Sequence, residues 1–239
     1  MEKYHQPQNA FVRRFQDYLG EFVYGGIDGS VTTFAVVAGS VGAGLDTAVI
    51  IILGFANLIA DGFAMSVGAF LSTKSEIQNY EKHKKIEYWE VDNLPEKERA
   101  EIREIYEAKG FEGELLEQVV DVICADRDRW VDVMMKEELE MQEETKSPFA
   151  MGAVTFVSFI LVGLIPLLVY VYDYAADGLE LDLFAWSCVM TGGAFVLIGY
   201  LKARVTENDI LRSIAETLFL GAAAAILSYV VGNYLERLF

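Results

Sequence analysis

Two pairs of glutamates stand three residues apart in one acidic stretch: Glu87 with Glu90, and Glu98 with Glu101. Further on, Glu138 follows Met134 by one helical turn, with Met135 beside it. Residues three or four apart on a helix share a face. Glu-x-x-Glu pairs on two helices, joined by a Glu from a third, can converge as carboxylates do in the metal sites of helical bundles. Oxygen donors suit hard or borderline divalent ions such as Fe²⁺ and Mn²⁺. A thioether shifts preference toward softer transition metals and away from Ca²⁺ and Mg²⁺. The same residues have a plainer reading. An acid-rich helix produces such pairs on any solvated face, and Met134 and Met135 also suit a core.

A second group of candidates sits in apolar surroundings. Asp28 lies in Tyr24-Gly25-Gly26-Ile27-Asp28-Gly29-Ser30. A carboxylate at the centre of a membrane helix costs about 2.5–3.5 kcal/mol on insertion scales, so it marks a functional position by default. The glycines let backbones approach closely. Asp61 and Met65 are one turn apart and share a face, an acid and a thioether suited to a transition-metal path. For Met65 alone, ordinary packing is the simpler account. Glu216 has Arg212 four residues before it, a pair suited to a membrane interface.

These residues need elements to hold them. The chain has 239 residues, 53% hydrophobic yet 23% charged, with a net charge of −17. Such numbers coexist only if apolar and charged residues are segregated. They are: residues 76–148 hold 22 acidic and 11 basic side chains, about two-thirds of the net negative charge. Outside that insert lie five long apolar stretches, Leu19–Gly42, Thr47–Leu71, Phe149–Tyr172, Leu183–Leu201 and Ile214–Leu235. A transmembrane helix needs roughly 20 mainly apolar residues. The expected fold is therefore all-α, a polytopic membrane protein with five transmembrane helices and a three-helix cytoplasmic insert between helices two and three. The parts are a tail at 1–18, helices one and two at 19–75, the acidic insert at 76–148 and helices three to five at 149–239. The first stretch starts late and contains Glu21 and Asp28, unlike a cleaved signal peptide.

Lys3, Arg13 and Arg14 precede the first span, and Lys202, Arg204 and Arg212 lie between or near spans four and five. The links Ala43–Asp46 and Asp173–Asp182 carry neither Lys nor Arg. The positive-inside rule then puts the N-terminus and the insert in the cytoplasm. Within the insert, the spacing predicts a first helix over Lys74–Val91 continuing span two, and a second over Glu96–Ala108 opened by Pro95 and closed at Gly110. A third runs roughly over Glu114–Glu144, with Ala125–Arg129 as a weak point. Lys82, Lys84 and Lys85 read as a membrane-proximal cationic ring.

The acidic balance excludes nucleic-acid binding, which needs a basic footprint. Two distant cysteines, Cys124 and Cys188, exclude a disulfide scaffold and a cysteine zinc site. The two histidines, His5 and His83, are too few for a His-based centre.

Taken together, Gly25-Gly26-Ile27-Asp28-Gly29, Met65 with Leu71-Ser72-Thr73-Lys74-Ser75-Glu76, and Trp130-Val131-Asp132-Val133-Met134-Met135-Lys136-Glu137-Glu138-Leu139 resemble the vacuolar iron transporter family. The resemblance runs from about Gly20 to the C-terminus. It implies a homodimer that exports Fe²⁺, and often Mn²⁺, from the cytosol in exchange for protons, without an organic cofactor or catalytic residues. By resemblance, the metal-collecting residues fall on Glu87, Glu90, Glu98, Glu101, Met134, Met135 and Glu138, and the transport pathway on Asp28 and Met65. There is one departure. Asn57 stands where plant members have a Glu, and Asp61, one turn later on the same face, is expected to take the titrating role. A prokaryotic cell membrane and a vacuole-type membrane both fit. The competing class is a membrane-tethered ferritin-like iron oxidase, but such sites usually carry Glu-x-x-His, and His83 has Tyr80 three residues before it.

Overall fold

Long apolar runs become helices because hydrocarbon offers no other partner for backbone N–H and C=O groups. The computed structural model describes residues 10–176 and 182–238, with side chains from Tyr18 onward. Lys3 and part of the Asp173–Asp182 link, both used in the orientation argument, lie outside the described residues. The elements are α1 (Ala10–Gly42), α2 (Thr47–Asn93), α3 (Pro95–Ala108), α4 (Gly113–Cys124), α5 (Arg127–Glu137), α6 (Pro148–Gly163), a 3-10 turn (Ile165–Leu167), α7 (Leu168–Ala175), α8 (Leu183–Thr206) and α9 (Ile210–Glu236). Among the described residues, five helical segments are long and apolar enough to cross a membrane, the third being Pro148–Ala175. Among the described residues there is no strand.

The chain divides into two compact units, Met1–Phe70 with Lys146–Phe239, and Leu71–Thr145. In the first, α1 packs against α6, α8 and α9. Between apolar helices in lipid the hydrophobic effect supplies little, so close approach matters. A Cβ on Gly29 would sit 2.9 Å from the Phe159 Cα, and one on Gly163 would sit 2.7 Å from the Gly29 carbonyl oxygen. Ser66 Oγ donates to the Gly152 carbonyl at 2.8 Å and Ser228 Oγ to the Ala35 carbonyl at 2.6 Å, fixing α2 on α6 and α9 on α1. Val37, Leu58, Phe159, Leu167 and Tyr170 fill one core of this unit.

The second unit has a water-driven core of Tyr80, Val91, Ile102, Leu116, Val120, Ile123, Trp130, Val131, Met134 and Met135. Burying side chains of this kind stabilises by about 1.5–3 kcal/mol each. Two expectations change here. The third insert helix is two helices: α4 ends at Cys124, and Asp126 adopts an extended backbone whose side chain accepts from the Arg129 N–H, a helix start that stops the preceding helix. Beyond Glu137 the chain leaves the helix, and Glu140 has a φ of 51°. The insert therefore comprises the end of α2 and three further helices. The third span also differs, being interrupted at Pro166 where one continuous helix was expected.

Candidate metal centre

A short turn sets the geometry. Leu94 N–H bonds to the Glu90 carbonyl, and its own carbonyl accepts from Lys97 and Glu98 N–H groups at 3.0 and 3.1 Å. Pro95 starts α3 at once, at a position where its missing N–H costs nothing. The end of α2 is thereby folded back on the start of α3. Glu87 and Glu90 come from α2, Glu98 and Glu101 from α3, and Glu138 caps the C-terminus of α5.

Carboxylate oxygens of Glu87, Glu90 and Glu98 lie within 4.8 Å of one another, and so do those of Glu98, Glu101 and Glu138. Oxygens on opposite sides of one divalent ion are about 4–5 Å apart. Glu98 belongs to both groups. It is 0% exposed and Glu87 is 3% exposed. The Oε2 atoms of Glu87, Glu98 and Glu101 are buried without a hydrogen-bond partner in the protein. Unpaired buried carboxylate oxygens are costly, and a cation is the group that offsets them.

Burial, then repulsion from Glu138, Glu98, Glu90 and Glu101, pushes Glu87 up to about 7. Burial and the Glu101 charge push Glu98 to about 7, against a lowering pull from Lys97. Glu138 is raised for the same reasons, burial first and Glu101 second. Lys97 places its ammonium 3.0 Å from Glu101 and 3.5 Å from Glu98. The glutamate pattern did not point to it, though Lys97 precedes Glu101 by one turn.

Met134 and Met135 are both 0% exposed and pack in the insert's apolar core. Lys84 faces Asp132 at 3.8 Å and lies over the Tyr80 ring. His83 is in neither acidic group.

In the other unit, Asp28 and Asp61 are both partly exposed. Tyr24, one turn before Asp28, is 62% exposed, so this side of α1 is open. Met65 packs against the core that contains Leu58 and Phe159. Asn57 has a buried Nδ2 with no partner in the protein. Glu216 pairs with Arg212 as expected and also with Lys202, each at 3.1 Å.

Comparison with known proteins adds an independent line. A family model described as the VIT family matches residues 19–233. A vacuolar iron transporter of Toxoplasma gondii is 35% identical, covering 92% of this chain and 75% of its own length. Vacuolar iron transporter 1 of Arabidopsis thaliana is 31% identical, covering 92% and 87%. Its counterpart in Oryza sativa is 30% identical, covering 95% and 88%.

Proposed function

This chain belongs to the VIT family of vacuolar iron transporters, and from that membership we propose that it carries Fe²⁺, and Mn²⁺ as a second substrate, out of the cytosol in exchange for protons. The observation that carries the reading is the pair of acidic groups sharing buried Glu98. In this reading Glu87, Glu90, Glu98, Glu101 and Glu138 collect cytosolic metal, with Met134 and Met135, buried in the insert's apolar core, as thioether donors. The insert and the N-terminus face the cytoplasm.

Asp28 is the membrane-embedded cation ligand, Met65 its weak soft partner and Asp61 the titrating group. A divalent ion offsets the cost of the Asp28 charge when bound, and a proton does so afterwards. Competition of two cations for one carboxylate is a direct physical route to exchange. Ligands must also let the ion leave, which favours a weak thioether. The protein works as a homodimer. Carboxylates on an open helix side do not face lipid, and a second copy covering Asp28, Asp61 and exposed Tyr24 removes that conflict.

The test is flux in proteoliposomes with Fe²⁺, Mn²⁺ and Ca²⁺, with and without a pH gradient. The reading expects Fe²⁺ and Mn²⁺ flux accompanied by proton counter-movement. Flux of Ca²⁺ equal to that of Fe²⁺, or flux indifferent to the gradient, would remove it.

A further inference from the structure

The third apolar span, Pro148–Ala175, is interrupted within its length. α6 stops at Gly163, one 3-10 turn follows, and α7 starts at Leu168. Pro166 is the cause, since it has no N–H to donate and its ring blocks the helical ladder. The Leu167 N–H bonds to the Leu164 carbonyl at 3.0 Å, three residues back, and so leaves the Gly163 carbonyl four residues back. Non-helical backbone persists within a membrane only where protein or water satisfies it.

Hydroxyl groups gather at this break. Ser187 Oγ of α8 donates to the Pro166 carbonyl at 2.8 Å, which sets α8 against the turn. Phe34 stacks on Phe184, and Gly26 faces Ile198, so α1 and α8 run antiparallel and Ser30 comes level with Thr191. Gly29 lies on Phe159 and Gly163, so Thr33, one turn on, faces the 3-10 turn, which α1 contacts. Ser30, Thr33 and Thr191 are each 0% exposed, and their oxygens have no hydrogen-bond partner in the protein. Other hydroxyls in these spans are satisfied, some on their own helix, as Thr32 on the Asp28 carbonyl, Thr155 on Met151 and Thr217 on Ser213, and others across helices, as Ser66 and Ser228. A buried hydroxyl that does not bond back is left to find its partner between helices.

We propose that ordered water occupies the junction of α1, the 3-10 turn and α8, hydrogen-bonded to Ser30, Thr33 and Thr191. The donor set fits water and not a metal ion. It is neutral, so a cation there would bear its full desolvation cost. A buried water needs room for itself and two to four polar partners, and three hydroxyls beside freed backbone supply the partners. At 3.6 residues per turn, Ser30 and Thr33 lie on the far side of α1 from Asp28, so this is separate from the acidic pathway. Water at this place lets the third span flex at Pro166 without stranding a carbonyl.

The experiment is thermal unfolding of the full chain in lipid nanodiscs, comparing Ser30→Ala, Thr191→Val and the double variant. If shared water is present, each single change takes one hydrogen bond from it and lowers Tm by about 2–4 °C. The double variant then loses less than the sum, because both act on the same water. In a dry junction, Thr191→Val deletes an unpaired hydroxyl at constant shape. A Tm that is unchanged or raised overturns the proposal, and so do strictly additive losses. Should Thr191→Val fail to fold, radiolytic labelling of the wild-type chain in H₂¹⁸O decides. Incorporation in residues 165–170 above that at exposed Leu161 is expected, and incorporation no higher than at Leu161 overturns it.

Discussion

Glu87 on α2 and Glu98 on α3 bring carboxylate oxygens within 4.8 Å of each other at positions 3% and 0% exposed. Two acids so placed repel each other and resist ionisation unless a cation joins them.

Glu98→Gln should therefore act in opposite directions on binding and on stability. It removes a carboxylate common to both acidic groups, so Mn²⁺ affinity should fall by at least about tenfold. It also deletes a buried charge, so the metal-free protein should unfold at a higher temperature. Isothermal titration and thermal unfolding of the full chain measure the two effects. Unchanged affinity would take Glu98 out of the site.

The pH dependence has a definite sign. Glu87 and Glu98 sit at about 7 in the folded, metal-free insert, against an ordinary value of 4.5. The folded state then holds more protons than the unfolded state between those values. The contribution of these two groups to the stability of the metal-free insert should be greatest below about pH 4.5 and fall as pH rises toward 7, with little change above. Metal binding must displace the same protons, so apparent Mn²⁺ affinity should climb with pH and level off above about 7. Denaturant unfolding and titrations at pH 5.5, 6.5 and 7.5 check both. A stability that rises over this range contradicts the assignment.

Asp28→Asn keeps size and removes charge. Folding should survive while Fe²⁺ flux in proteoliposomes falls by about tenfold or more. Met65→Leu should retain flux but admit Ca²⁺ more readily, because the soft donor is lost. Asp61→Asn should pass metal with reduced proton counter-movement, read by an internal pH dye. Full proton movement in Asp28→Asn would shift the titrating role to Asp61 alone.

Gly29→Ala tests the helix crossing. The added Cβ would meet the Phe159 carbonyl oxygen at 2.5 Å and its Cα at 2.9 Å, both backbone atoms that cannot turn away. Overpacking of this kind costs about 1–3 kcal/mol. A clear drop in Tm is expected. Gly68→Ala, with open space around it, is the control.

Much of this architecture is legible in the chain because hydrocarbon permits so few solutions. Runs such as Thr47–Leu71 are too apolar for anything but a helix, and Pro95 and Gly110 mark the ends of α3 by backbone chemistry alone. The breaks were harder. Pro166 sits in an otherwise uninterrupted apolar run, and composition does not reveal whether neighbours will tolerate a broken ladder. Asp126 stops a helix through a single side-chain contact to Arg129, which competes with an apolar pattern that continues past it. At the acidic site, spacing pairs Glu87 with Glu90 and Glu98 with Glu101, since each pair is local. That the two pairs share a space depends on the turn at Leu94 and Pro95, and the burial of Glu98 depends on packing remote in sequence.

In the proposed reading of the acidic site, Lys97 is the charge that an arriving metal ion has to displace. Its ammonium stands 3.0 Å from Glu101 and 3.5 Å from Glu98, on the carboxylates an incoming ion would use. An arriving cation must compete with a charge tethered to the same helix, at an effective concentration no freely diffusing monovalent ion can match. On that reading a divalent ion, with twice the charge, competes for these carboxylates better than sodium or potassium does. When the divalent ion departs, the tether refills the gap without waiting for diffusion. Metal uptake at the proposed site would then be an exchange against a tethered charge, which favours release over retention.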